Sequence, residues 1–500
     1  MSQLAAEPSK TTSDGSPPAT SSQSKIALRG EHFYKFFQCP HWIWYDIYGD
    51  PEHRKETAPL LELIYRGKIA NPGEVLKNFK QFEEIKPELF KDLDEAFLST
   101  LELMKQGKNI FHGVLMHADW VGIPDLLIAR PGKSKFGKWE YAVYDTQSSL
   151  DLRDEYKFPL VFYSLILEEL QGIRPTEAYV IDPQGNERSF LVNDFVDQFH
   201  MNREQIQKIL NGEKPAPFLK SGCKRTPWYS LCLSDTEGCN DVSLVHRLSQ
   251  GDQKRLYDIG IRTVSDLAKA NLEDMQAQLE DWPFDKLIRV TNQAKVLISG
   301  EPLILKRPQF PEVKKEVYFD VESDPTRDLD YLLGVLVKNT KTGHVEYKYF
   351  LSKNKSEEEA MWKSFLDFLV TLDDFVIYHF AFYEHQVFER LTLRYGAPSE
   401  LVSKFNEHTI DLQMEVVDSL VLPIYFYTLK DVGKYYGYQW RNPNAGGAES
   451  VVWYDEWLRT NDNAVLQRIL TYNEDDVRAT LLVKEKLEEQ KPARVKEVLD

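Results

Sequence analysis

Val317-Tyr-Phe-Asp-Val-Glu-Ser323 reads as a short buried strand that carries two carboxylates where a core strand should carry none. Successive side chains of an extended chain point to opposite faces, so Asp320 and Glu322 share one face with Tyr318, while Val317, Phe319 and Val321 fill the other. Two acids aimed the same way repel each other. Burying such a pair is costly unless a cation sits between them, and hard divalent ions with oxygen ligands suit that place. In isolation the pattern also fits a half-exposed edge strand with both acids in water; its downstream partners favour a metal site.

The first partner is Tyr472-Asn-Glu-Asp-Asp476, which runs into an apolar pattern of Val477, Leu481, Leu482 and Leu487 and reads as a helix. Residues four apart on a helix stack on one face, so the phenol of Tyr472 and the carboxylate of Asp476 converge on one ligand. The second is Phe375-Val-Ile-Tyr378, a strand by composition, followed by His379-Phe-Ala-Phe-Tyr-Glu384 and a helix expected over 383–391, with Glu384 in its first turn.

In this order the three stretches resemble the motifs of the DEDD-type, RNase H-like 3′–5′ exonucleases, in the subclass whose last motif is Tyr-x-x-x-Asp. Asp320 and Glu322 match the first motif, Tyr472 and Asp476 the last. The middle motif departs from the pattern: His379 and Glu384 stand where the family has an Asn and, five residues on, an Asp. Glu384 is the favoured third acid, and Asp411 in Thr409-Ile-Asp-Leu412 is its competitor. The resemblance implies two Mg2+ or Mn2+ ions held by Asp320, Glu322, Glu384 and Asp476, with Tyr472 orienting the attacking water. Nothing suggests a covalent nucleophile.

The 500 residues, 42% of them apolar, suffice for two or three domains with their own cores. No stretch approaches the roughly 20 apolar residues that span a bilayer, and no charged start followed by an apolar run opens the chain, so no membrane partner is expected and the expected address is cytoplasmic. A net charge of −17 argues against a protein that coats nucleic acid, because neutralising phosphate takes Lys and Arg. It does not argue against a nuclease whose metal ions supply the positive charge. Residues 1–25 are Ser/Thr/Pro-rich, nearly free of large apolar side chains, and expected to be disordered.

In the region 26–240, an aromatic stretch from Phe33 to Tyr48 reads as a helix pair around Cys39. Strands over 120–128 and 139–145, with a turn at Pro131-Gly132, precede a helix over 155–171. Strand-acid, strand-acid, helix resembles the RecB-like nucleases of the PD-(D/E)XK superfamily, with Asp125 and Asp145 at its acidic positions. That family places a Lys two residues after the second acid, where this chain has Gln147, and a Gln in the helix, where it has Pro159. The site is therefore expected to be vestigial. All four cysteines fall here. Their layout, Cys39 before the core and Cys223, Cys232 and Cys239 after it, resembles that of RecB-like nucleases with an iron–sulfur cluster, although Thr226 takes the usual middle position; the set implies a [4Fe–4S] cluster or zinc.

Region 241–300 resembles a helix-hairpin-helix. It breaks at Ile259-Gly-Ile261, and a capping box, Thr263-Val-Ser-Asp266, opens the next helix. Backbone amides at Gly260 and Ile261 are expected to hold nucleic-acid phosphate. Pro302, Pro308 and Pro311 mark a linker to the RNase H-like region 311–500. The composite resembles the predicted RecB-family nucleases that join these modules, an α/β architecture of restriction-endonuclease-like domain, helical hairpin and RNase H-like mixed sheet flanked by helices. The expected function is a metal-dependent nuclease, a 3′–5′ exonuclease on single-stranded ends of DNA or RNA. The alternative is a decayed nucleic-acid-binding scaffold in a repair, defence or mobile-element complex, which the intact Asp320, Glu322 and Asp476 disfavour.

Overall fold

The computed structural model describes residues 26–55, 82–146, 153–181 and 186–490. The tail 1–25 and Gln147 lie outside the described residues. Helices α1 (Gly30–Gln38) and α2 (Pro40–Tyr48) flank Cys39 as the sequence suggests, with Pro40 at the first position of α2, where its missing N–H is harmless. A six-stranded sheet follows, whose spatial order is its chain order: β1 (Phe82–Glu84), β2 (Asn109–Phe111), β3 (Leu126–Ser134), β4 (Gly137–Thr146), β5 (Glu177–Ile181) and β6 (Glu187–Leu191). Helix α3 (Leu93–Lys105) links β1 to β2, and α4 (Asp154–Gln171) crosses between the parallel pair β4 and β5. With α5 (Val196–Leu210) these elements enclose an aromatic core in which Phe33 stacks on Phe199 at 4.8 Å and meets Phe162 at 5.6 Å.

Two sequence expectations fail in this sheet. The strand expected over 120–128 breaks at 123–125, because Pro124 has no N–H for a ladder; Trp120–Gly122 instead joins Leu28–Arg29 and Leu115–His117 in a separate small sheet. Nor does the chain turn at Pro131-Gly132. Pro131 pairs with Trp139 inside the hairpin, and the reversal comes at Lys135-Phe136 after a register shift.

The middle of the chain is helical: α6 (Tyr229–Gly238), α7 (Gln250–Asp258), α8 (Val264–Lys269), α9 (Leu272–Gln278) and α10 (Phe284–Ser299). Gly260 has φ +85° and the Thr263–Asp266 capping box forms. The helical run breaks a second time, where Asn271 caps α9, beyond the single break that the sequence pattern suggests. Gly260 N–H donates to Tyr257 O and Ile261 N–H to Leu256 O, the bond pair of a Schellman C-cap. The turn thus consumes the two amides expected to hold phosphate, and Gly260 and Ile261 close α7 instead.

The proline-rich linker is tied down in part, since Leu303–Ile304 pairs with Leu420–Val421. The second large sheet comprises β7 (Lys315–Asp324), β8 (Leu329–Asn339), β9 (Val345–Leu351), β10 (Phe375–His379) and β11 (Thr409–Asp411), in the spatial order β9-β8-β7-β10-β11. Its first three strands form an antiparallel meander, and β10 and β11 add in parallel. Helices α11 (Glu358–Val370), α12 (Tyr383–Tyr395) and α13 (Ser399–His408) cover one face, where Val317, Phe319 and Val321 meet Trp362, Phe365, Phe388 and Phe405. Helix α14 (Leu412–Ser419) follows β11, then α15 (Leu429–Tyr435), α16 (Gly447–Thr460) and α17 (Asn463–Glu489). On the opposite face Tyr318 packs with Val477, Val483 and Leu487 of α17. A buried ion pair, Lys484–Glu316, fixes α17 along β7; Tyr318 Oη donates to the same carboxylate at 2.9 Å. Among the described residues no helix is long and apolar enough to cross a membrane.

Candidate metal and active site

Alternation along β7 delivers Asp320 and Glu322 to the face that α17 crosses, and the helical spacing of α17 turns Tyr472 and Asp476 toward them. One carboxylate oxygen each from Asp320, Glu322 and Asp476 lies within 4.8 Å of the others, the only such group of three potential metal ligands among the described residues. Burial and the repulsion of Asp476 raise the carboxyls of Asp320 and Glu322 well above the ordinary range. Burial also raises Asp476, to about 6, against the opposing hydrogen bond from Trp440 and the charge of Lys430. Tyr472 is pushed up by burial and by these carboxylates, so it stays a neutral phenol.

Glu384 lies in the first turn of α12 and is buried beside the cluster, close enough for its charge to act on Asp320 and Glu322. Its Oε2 is buried without a hydrogen bond; His379 Nδ1 stands 3.6 Å away, too far for one, and instead faces the carbonyl of Ala381 at 2.5 Å. Arg390 secures α12 to the sheet through a two-pronged ion pair with Asp330 of β8, at 2.6 and 3.1 Å. Asp411, the competing acid, is occupied as the N-cap of α14: its Oδ1 accepts from the amides of Gln413, Met414 and Ala381. A crowded set of raised carboxyls with an orphaned buried oxygen beside it is a donor set suited to hard divalent cations, so the residues present fit the implied metal.

Several contributors escaped the sequence reading. Asn473 donates to Asp320 Oδ2 at 2.7 Å and accepts from Tyr347 at 2.7 Å, which fixes its amide. It needs Gly334, which pairs with Asp320 across the β7–β8 ladder; a Cβ at that position would lie 1.6 Å from the Asn473 oxygen. A glycine inside the strand Leu332-Leu-Gly-Val-Leu336 is a signal of close approach that could have been read. Trp440 Nε1 donates to Asp476 at 2.7 Å, whereas Arg441 takes up Glu474 and Asp475, leaving Asp476 as the acid of that run that faces the site.

In the first sheet Asp125 and Asp145 do come together. The Asp125 amide donates to Asp145 Oδ1 at 3.2 Å, and Thr146 donates to Asp125 Oδ2 through its amide and its hydroxyl, at 2.7 and 2.5 Å. The cysteines gather only in part. Cys39, Cys223 and Cys232 are buried in one cluster with Trp42, Tyr45 and Trp228, and the sulfurs of Cys39 and Cys232 are 3.8 Å apart. Contact with Cys223 pulls the Cys39 thiol down, but Cys232 and burial outweigh it and push it up to about 12. Cys239 does not join them: it is exposed at the end of α6, its thiol against the Asp235 carbonyl at 3.2 Å. Thr226 is no substitute ligand, because its hydroxyl donates to the Cys223 carbonyl at 2.9 Å.

No curated protein matches the chain. Residues 317–488 match the family model RNase_H_2 of the RNase H superfamily, a span that begins in the strand bearing Asp320 and Glu322 and ends in the helix bearing Tyr472 and Asp476. The C-terminal part of this chain is therefore an RNase H-like domain, of nuclease type, whose substrate class is nucleic acid.

Proposed function

We propose that this domain is a metal-dependent 3′–5′ exonuclease acting on single-stranded nucleic-acid ends. The observation that carries the reading is the convergence of Asp320, Glu322 and Asp476, with ligand atoms within 4.8 Å, inside the segment matched to the RNase H superfamily. The 3′–5′ polarity and the preference for ends rest on the Asp-x-Glu and Tyr-x-x-x-Asp motifs. Asp320, Glu322, Asp476 and Glu384 would hold Mg2+ or Mn2+, which when bound supplies Lewis-acid activation of water and charge neutralisation at the phosphate. Tyr472, neutral at all physiological pH, positions the attacking water by hydrogen bonding and does not serve as a base. Asn473 and Trp440 hold the Asp320 and Asp476 carboxylates in place, the supporting role that outer hydrogen bonds play around metal ligands.

The N-terminal half, 26–240, positions nucleic acid in this reading, and its Asp125–Asp145 pair is vestigial. That assignment is supported by Thr146, which occupies Asp125 Oδ2 twice over. The test is incubation of end-labelled single-stranded and duplex DNA and RNA with Mg2+ or Mn2+. Wild type should shorten a single-stranded substrate from its 3′ end, and Asp320→Ala and Asp476→Ala should both be inert while remaining folded. Equal cleavage by all three proteins would remove the site from consideration.

A further inference from the structure

Lys430 lies in the first turn of α15, a helix whose start is pinned by its N-cap Thr428 and by the Asp431–Lys224 ion pair at 2.8 Å to the N-terminal half. The lysine is half-buried, and its ammonium stands over two rings at once, 5.2 Å from the centre of Tyr472 and 5.9 Å from that of Trp440. Both rings belong to the site: Trp440 donates to Asp476, and Tyr472 carries the phenol of the last motif. The rings are themselves held, because α15 approaches Trp440 so closely that a Cβ on Gly433 would come within 2.7 Å of it. The ammonium lies in the field of Asp476 and Glu322, yet among the described residues no carboxylate oxygen comes within 4 Å of it. A lysine that served only to balance these acids would collapse onto one of them. Here the ammonium stands over the aromatic pair that contacts the acids, more than 4 Å from any carboxylate oxygen of the described residues.

We propose that Lys430 binds a non-bridging phosphate oxygen of the nucleic-acid strand at the cleavage site. The proposal rests on the nuclease reading above. Cations bound by the acids would cancel the carboxylate field that now draws the ammonium. Its three N–H donors would then be free for an anion at the mouth of the cluster.

The experiment measures binding of a fluorescent single-stranded oligonucleotide to the full chain, with Ca2+ replacing Mg2+ or Mn2+, across a range of salt concentrations. Wild type, Lys430→Gln and Lys430→Arg are compared. Losing one charge-assisted phosphate contact should weaken the Gln variant roughly tenfold. It should also reduce the slope of log affinity against log salt by about 0.7, the increment for one phosphate on a single strand. Arg should restore the slope. Calorimetric Ca2+ affinity provides the readout for a countercharge role: a Gln variant that binds Ca2+ more tightly but keeps the wild-type salt slope would overturn the proposal. Cleavage by wild type with an unaltered slope in Lys430→Gln defeats this proposal alone, whereas a wild type that neither binds nor cuts defeats the nuclease reading with it.

Discussion

Asp476→Asn should stabilise the metal-free protein while destroying its response to metal. The fold raises this carboxyl from its ordinary 3.8 to about 6, burial being the main cause. Between those values the folded state holds a proton that the unfolded state has released, so stability falls as pH rises through the window and the full cost is present at pH 8. The gap is worth about 3 kcal/mol. Asn never ionises, yet its Oδ1 can still accept from Trp440. The variant in a chelator at pH 8 therefore gains up to about 3 kcal/mol, a figure that already includes what the charged form draws from Lys430. At about 2–4 °C per kcal/mol for a domain of this size, the melting temperature rises by as much as roughly 10 °C. The difference shrinks as pH falls from 8 toward 4. Mn2+ reverses the order, since an ion bound only by the folded wild type adds stability by mass action. Melting curves in chelator and in Mn2+, at several pH values, test every part of this. A variant that melts no higher than wild type in chelator at pH 8, or a gap that does not change with pH, would refute the claim that burial raises the Asp476 carboxyl and costs the metal-free fold stability.

Gly334→Ala should evict the Asn473 amide and release Asp320, lowering metal affinity or activity roughly 10- to 100-fold and stability by about 1–3 kcal/mol; titration with Mn2+ and a melting curve check both. Asp145→Ala should leave the cleavage rate unchanged, and a collapse of activity would make the N-terminal domain the working nuclease. Cys39→Ser should destabilise the protein by about 1–3 kcal/mol, because it buries a hydroxyl among apolar neighbours, whereas exposed Cys239→Ser should stay within about 0.5 kcal/mol. Equal effects in denaturant melts, with iron or zinc found by elemental analysis, would restore a four-cysteine site.

What could be read in advance followed from local rules. Two-residue alternation over Val317–Val321 placed both faces of β7 correctly, and the four-residue spacing of Tyr472 and Asp476 placed both on one side of α17. The failures share a different character. Pro131 sits in a paired strand opposite Trp139, and the chain reverses only after a register shift whose extra residue lies in Pro131's own strand, which a Pro-Gly pair read alone does not reveal. The amides of Gly260 and Ile261 are consumed by carbonyls of the preceding helix, which a motif read as a string of residues does not reveal. Cys239 is a matter of where α6 ends, and counting thiols says nothing about that. Asn473 and Lys430 acquire their roles only through distant neighbours, Asp320 more than a hundred positions away for Asn473, and Trp440 with Tyr472 of a separate helix for Lys430.

Helix α17 supplies Tyr472, Asn473, Asp476 and the Lys484 that anchors it, and it is synthesised long after the strand that bears Asp320 and Glu322. Domains fold as units during translation, N-terminal parts first. A ribosome-bound chain that has already built the six-stranded sheet and the second one still lacks Asp476, one of the four proposed ligands, together with Tyr472. In that reading the enzyme stays inert beside the messenger that encodes it, and competence arrives in a single late step, when the helix docks and Lys484 finds Glu316.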